Sequence, residues 1–153
     1  MKKVAGLALA ALLALAALLQ IFPVERSNPP ARAPVDAPAE VLAALRAGCF
    51  DCHSNETRWP WYSRVAPLSW LVAGDVNEGR EHLNFSDWGL LPERERAKLH
   101  EEMAEEVERG DMPPPLYRMA HPRARLTDEQ KRTLRGWNAL HARGERGRGR
   151  DGR

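Results

Sequence analysis

An all-α domain behind one N-terminal transmembrane helix is the architecture this sequence predicts. Three observations carry that reading. Val4 to Phe22 is a nearly unbroken apolar run rich in Ala and Leu. The second half of the chain repeats its apolar residues at helical spacing, bounded by residues that start and stop helices. No stretch alternates apolar and polar residues for long enough to argue a strand.

The elements follow in chain order. Met1-Lys2-Lys3 is a short basic start. The apolar run behind it approaches the roughly 20 residues that cross a bilayer. Lysines on the near side agree with the positive-inside tendency and place the rest of the chain on the outer side. Small-x-small triplets such as Ala14-Leu15-Ala16 lie inside the run, and Ala31-Arg32-Ala33 runs straight into Pro34, a poor context for cleavage. Residues 1–22 are therefore expected as a retained anchor rather than a cleaved signal. Pro23, Pro29, Pro30, Pro34 and Pro38 make residues 23–38 an extended, semi-rigid spacer.

The domain proper is expected over residues 39–142, within the usual size of one domain. Asp36 is positioned to cap its first helix, with Pro38 in the first turn. Val41, Leu42 and Leu45 share a face of that helix, which runs into Gly48. Ser54 to Gly89 holds Trp59, Trp61, Tyr62, Trp70, Phe85 and Trp88, and Pro60 and Pro67 break any long helix there. A short helix from about Ser69 to Asn77 is expected, with Leu71, Val72 and Val76 inward. The aromatics are expected to fill the core, several of them as pocket walls. Pro92 suits the start of the next helix, Leu99, Met103 and Val107 form its apolar stripe, and Gly110 is a natural stop. Thr127-Asp128-Glu129-Gln130 matches a capping box for a last helix. Its stripe is Leu134, Trp137 and either Leu140 or His141. From residue 143 Gly alternates with charged residues, which reads as a disordered basic tail. The formal net charge of +2 makes no case for nucleic acid.

The chemistry concentrates in Cys49-Phe50-Asp51-Cys52-His53, a C-x-x-C-H run that contains both of the chain's 2 cysteines. This is the attachment signature of c-type haem. Two thiols at this spacing each bond one vinyl group of a porphyrin, and the histidine that follows supplies an axial ligand to iron. A zinc site needs further ligands at short spacing, and His82, His100, His121 and His141 form no such pair. A thioredoxin-type redox pair needs a preceding strand and a βαβ context, neither of which is visible. Covalent attachment requires export, in agreement with the N-terminus. A helix delivering Cys49 at its end is the arrangement expected of a cytochrome c-like fold.

Iron held by His53 has a second axial position. Met112 lies in Asp111-Met112-Pro113-Pro114-Pro115, a constrained non-helical loop between the last two long helices, and is the expected sixth ligand. Met119, His121 and His82 are the fallback ligands. Met103 belongs to a helix stripe and reads as core.

Several stretches resemble a known family: Pro23 to Pro30, Cys49 to Thr57, Trp59-Pro60-Trp61-Tyr62, Ser69-Trp70-Leu71, Glu78-Gly79-Arg80 with Asn84-Phe85-Ser86, and Met112-Pro113 with His121-Pro122. Together they resemble the small bacterial haem-binding domain family, a relative of cytochrome c, over roughly residues 20 to 140. The resemblance implies an N-terminal membrane anchor, one covalently bound haem c per chain and a small all-α, cytochrome c-like domain around it.

The expected function is electron transfer by a monohaem c-type cytochrome tethered to the bacterial cytoplasmic membrane, with its domain on the periplasmic face. Its partners would be redox proteins that the sequence does not name. The alternatives are a peroxidase-like haem enzyme and a haem-based gas sensor with a displaceable Met112. The chain offers no evident acid–base pair for catalysis beyond His82 or His121, so a non-enzymatic role is expected.

Overall fold

The structure, a computed structural model, describes residues 2–148, with side chains to residue 142. Among the described residues there are seven α-helices and no strand. Helix α1 (Lys2–Leu19) has 18 residues, none of them buried, and is long and apolar enough to cross a membrane. At 1.5 Å per residue it spans about 27 Å, close to a bilayer's hydrocarbon thickness.

The proline-rich stretch after α1 is extended, but it does not stand free of the domain. Arg26 Nη1 donates to Ser63 O, Asn28 Nδ2 to Thr57 O, and the backbone N–H of Val35 to Phe85 O. Arg80 completes the seam: its guanidinium donates to Ser54 O, Ser27 O, Asn28 Oδ1 and Thr57 Oγ1. Prolines hold the backbone extended, and the polar residues between them find fixed acceptors along the domain.

Helix α2 (Ala39–Gly48) follows Pro38, whose extended backbone (φ −52°, ψ 149°) fixes the helix start at Ala39. This corrects the expectation for Asp36, which lies too far upstream to cap; no side chain caps this helix. The single turn α3 (Phe50–His53) comes next. Helix α4 (Leu68–His82) is longer than the sequence suggested, and its buried face differs. Ser69, Ala73, Val76 and Gly79 are buried, whereas Leu71 is exposed. A stripe of small residues lets α4 approach α3 closely, and the bulky Leu71 is left outside.

Helix α5 (Glu93–Arg109) buries Leu99, Met103 and Val107 as expected and ends at Gly110, which has a left-handed φ of 78°. The short α6 (Pro115–Ala120) is followed by α7 (Asp128–Arg148). The capping box at the start of α7 is formed: Gln130 N–H donates to Thr127 Oγ1 (3.1 Å), and Thr127 N–H donates to Gln130 Oε1 (2.9 Å). Leu134 and Trp137 face the core, Leu140 faces outward, and His141 stacks on His100. The helical backbone passes residue 143, where the sequence suggested a tail; residues 149–153 of that expected tail lie outside the described residues.

The core is one cluster in which α2 and α5 pack on α7. Phe50 stacks on Phe85 with ring centroids 5.3 Å apart, and Phe85 on Trp88 at 5.9 Å. His100 is buried in this cluster, edge-on to Trp137 at 4.5 Å, with its Nδ1 2.8 Å from Asn138 Oδ1. The carbonyl of Asn138 can only accept, so Nδ1 carries the proton. Burial lowers the pKa of His100 from 6.5 to about 4.

Between those two values the unfolded chain takes up a proton that the folded chain refuses, so stability falls as pH falls from 7 toward 4. The full shift corresponds to about 3 kcal/mol at 1.36 kcal/mol per unit. Urea unfolding at pH 7 and pH 4.5 is expected to show this loss, and His100→Gln, which keeps a donor for Asn138, is expected to flatten it.

Candidate functional site

The site begins where α2 ends. The backbone N–H of Cys49 donates to Leu45 O at 2.8 Å, and that of His53 to Cys49 O at 2.9 Å. The C-x-x-C-H run therefore forms one tight turn, with Cys49 at its N-cap and Cys52 and His53 as its last two residues. Phe50 turns into the core beneath Phe85, and the guanidinium of Arg46 lies over its outer face, 4.8 Å from the ring centroid. That leaves Cys49, Cys52 and His53 on the wall of a cavity of about 690 Å³. Pockets that hold cofactors and drug-sized ligands run from about 300 to 1,000 Å³.

The ring of His53 is fixed by α4. Its Nδ1 lies 2.8 Å from Gly79 O and 3.1 Å from Leu83 O. Both partners are carbonyls, so Nδ1 bears the hydrogen and Nε2 keeps its lone pair. Burial lowers the pKa of His53, and the two carbonyls oppose that shift only in part. A neutral imidazole oriented through Nδ1 is the form in which histidine binds metals. Burial likewise pushes the Cys49 thiol up to about 12 and the Cys52 thiol up to about 11. Both are therefore neutral thiols near pH 7, unlike the thiolates of zinc sites and redox pairs. Among the described residues no group of three His, Cys, Asp or Glu side chains is placed to share a metal ion.

Leu83 and Phe85 after α4, with Leu99, Met103 and Val107 of α5, give the cavity an apolar stretch. Charged side chains such as Glu102, Glu106 and Arg109 also line it, and Met112 of the loop after α5 lies on the wall as well. Gly110, Asp111 and Met112 all direct their backbone N–H groups to Glu106 O, which folds the loop back over the end of α5. Two contacts then hold the loop near the C-x-x-C-H turn. A side chain at Gly48 would meet Pro113 Cγ at 2.9 Å, so only glycine lets that proline sit so close to the turn. Tyr117 donates its O–H to Asp51 Oδ2 at 2.7 Å. Burial works to raise the pKa of Asp51, but hydrogen bonds from Arg58 and Tyr117 outweigh it and hold the carboxyl below its usual range.

Of the fallback ligands, His82, at the end of α4, lines the cavity, with its Nε2 3.4 Å from Glu102 Oε2. Met119 and His121 are not on the cavity wall. Met119 is exposed, and His121 Nε2 pairs with Tyr62 Oη at 3.2 Å. The tryptophan-rich block is largely absent from the lining: Phe85 is its one member there, while Trp88 is core and Trp61 is exposed.

The model of the haem-binding domain family matches residues 14–139, most of the chain. The chain belongs to that family and binds haem. No curated protein and no solved structure matches it. The residues present fit the group: the cavity is cofactor-sized, with an apolar stretch from Leu83 to Val107 beside charged side chains, and two thiols and a histidine nitrogen with a free lone pair stand on its wall.

The haem-binding domain also depends on residues to which the sequence reading gave no role of their own, Gly79 being named there only within the resemblance. Gly79 lies where α4 crosses α3, and a Cβ there would meet Cys52 O at 2.7 Å. The signal available in the sequence was a glycine inside a helix, which weakens the helix unless a close approach requires it. Gly79→Ala is expected to lower stability by about 1–3 kcal/mol, because the obstacle is backbone and cannot swing aside. Gly74→Ala, in the same helix with nothing within 4 Å, is expected to raise it by about 0.5–1 kcal/mol through helix propensity. Thermal unfolding of the two variants side by side checks both. Nothing in the sequence announced Tyr117 and Asp51, whose contact joins residues 66 positions apart.

Proposed function

We propose that this protein is a membrane-tethered monohaem c-type cytochrome that carries single electrons on the outer face of the bacterial cytoplasmic membrane. The observation behind this reading is that Cys49, Cys52, His53 and Met112 line one cavity. Cys49 and Cys52 would hold the haem by adding their S–H groups across its two vinyl double bonds, sulfur to one carbon and hydrogen to the other, with nothing released. His53 would ligate iron through Nε2, and Met112 through its thioether sulfur. When bound, the haem supplies a one-electron couple whose potential follows its axial ligands and burial.

The protein's own residues supply the rest. The carbonyls of Gly79 and Leu83 keep the His53 ring in a single tautomer and orientation. The apolar wall from Leu83 to Val107 excludes water and, with a Met ligand, favours a higher potential. The Asp51–Tyr117 hydrogen bond and the Gly48–Pro113 contact hold the Met112 loop near the turn that carries His53. The lysines at the start of α1 support an orientation with the domain outside.

Visible spectra of the purified full chain test the proposal. Electron transfer predicts a low-spin, six-coordinate reduced spectrum that carbon monoxide leaves unchanged. A high-spin haem, or one that binds carbon monoxide readily, would transfer the reading to a haem enzyme or a gas sensor.

A further inference from the structure

The short 3₁₀ turn Trp61–Arg64 and the first turns of α4 carry an apolar face left exposed among the described residues. Trp61 is 77% exposed, Leu71 62%, Leu68 46% and Val65 44%. Residues 59–74 contain no Asp or Glu, and Arg64 is exposed among them. Clustered exposed apolar side chains on so small a domain mark an interaction surface.

What covers this face follows from what it adjoins. Gln20, one residue past α1, brackets Ala66: its Oε1 accepts from Ala66 N–H at 3.1 Å, and its Nε2 reaches Ala66 O at 3.4 Å. Trp70 Nε1 donates to Phe22 O at 3.1 Å. Ile21 and Phe22 are themselves exposed beside the face. The patch is thus continuous with the exit end of the helix suited to cross the bilayer. Tryptophan with a basic residue next to apolar side chains is the composition that settles at the headgroup level of membranes.

We propose that the face formed by Trp61, Val65, Leu68 and Leu71 rests in the headgroup layer of the bilayer that α1 crosses, with Arg64 set against anionic headgroups. The inference rests on α1 remaining as a membrane anchor. It has a consequence for the haem site. The linker runs alongside α4, meeting Trp70 at Phe22, Arg80 at Ser27 and Asn28, and Ser86 at Arg32 and Ala33. Helix α4 therefore leads away from the membrane, and Gly79, which anchors His53, stands roughly 16 Å along the helix axis from Leu68. The cavity would be held at a set height above the lipid rather than swinging on a free tether.

The full chain in nanodiscs of phosphatidylcholine and phosphatidylglycerol tests this, carrying the photocrosslinker p-benzoylphenylalanine in place of Leu12, Leu71 or Leu90. Leu12 lies within α1, and Leu90, also exposed, lies beyond the far end of α4. The expected result after irradiation is lipid adducts at positions 12 and 71 and their loss to background at 90. Adducts at 12 with none at 71, or equal adducts at 71 and 90, would overturn the docked face while leaving the anchor intact. An absence of adducts at both 12 and 71 would remove the anchor and the docked face together.

Discussion

The double variant Cys49→Ala/Cys52→Ala is expected to lose haem staining completely on a denaturing gel. The two thiols are the chain's only cysteines, and their addition to the vinyl groups would form bonds that survive unfolding. Alanine at both positions removes sulfur without introducing charge or bulk, so the apolar stretch of the cavity persists and haem held only by its axial ligands would leave on denaturation. Each single variant keeps one attachment and is expected to stain more weakly than the parent. Full staining of the double variant would refute covalent attachment through this turn. Both thiols stand half-buried on the cavity wall, and burial pushes their pKa values up to about 12 and about 11, so they are protonated near pH 7.

Met112→Ala is expected to lower the midpoint potential by on the order of 100 mV or more, given that axial ligands shift haem potentials over about 0.8 V. The vacated position is expected to become open to carbon monoxide. Met112 is 38% exposed and lies on a loop held near the His53 turn, so its removal opens the cavity wall without disturbing the buried core. Redox titration and carbon monoxide difference spectra provide the measurement. An unchanged potential and spectrum would shift ligation to His82, because Met119 and His121 stand outside the cavity.

Much of this protein was legible in its sequence because the relevant signals are local. The spacing of Leu99, Met103 and Val107, the stop at Gly110 and the capping box from Thr127 to Gln130 each depend on residues within a turn or two. The same holds for C-x-x-C-H, where one chain segment supplies two thiols and an imidazole. The spacer and the inward face of α4 were read less well. Leu71 looks like a core residue by periodicity, yet the partner of α4 is the backbone of Cys52, and contact that close admits only small side chains. The prolines of residues 23–38 correctly imply an extended chain, but not the acceptors at Ser63, Thr57 and Phe85 that fasten it down.

The sequence by itself determined an all-helical domain, a helix suited to a membrane and a turn with two thiols and an imidazole at C-x-x-C-H spacing, since helical period, hydrophobic length and residue spacing are properties of neighbouring residues. Only the tertiary structure decided which carbonyls hold His53, why position 79 must be glycine, that Met112 shares a cavity with the cysteines, and which apolar face stays uncovered. Those outcomes depend on surfaces that meet across tens of residues, where shape and the satisfaction of buried polar groups select the partner.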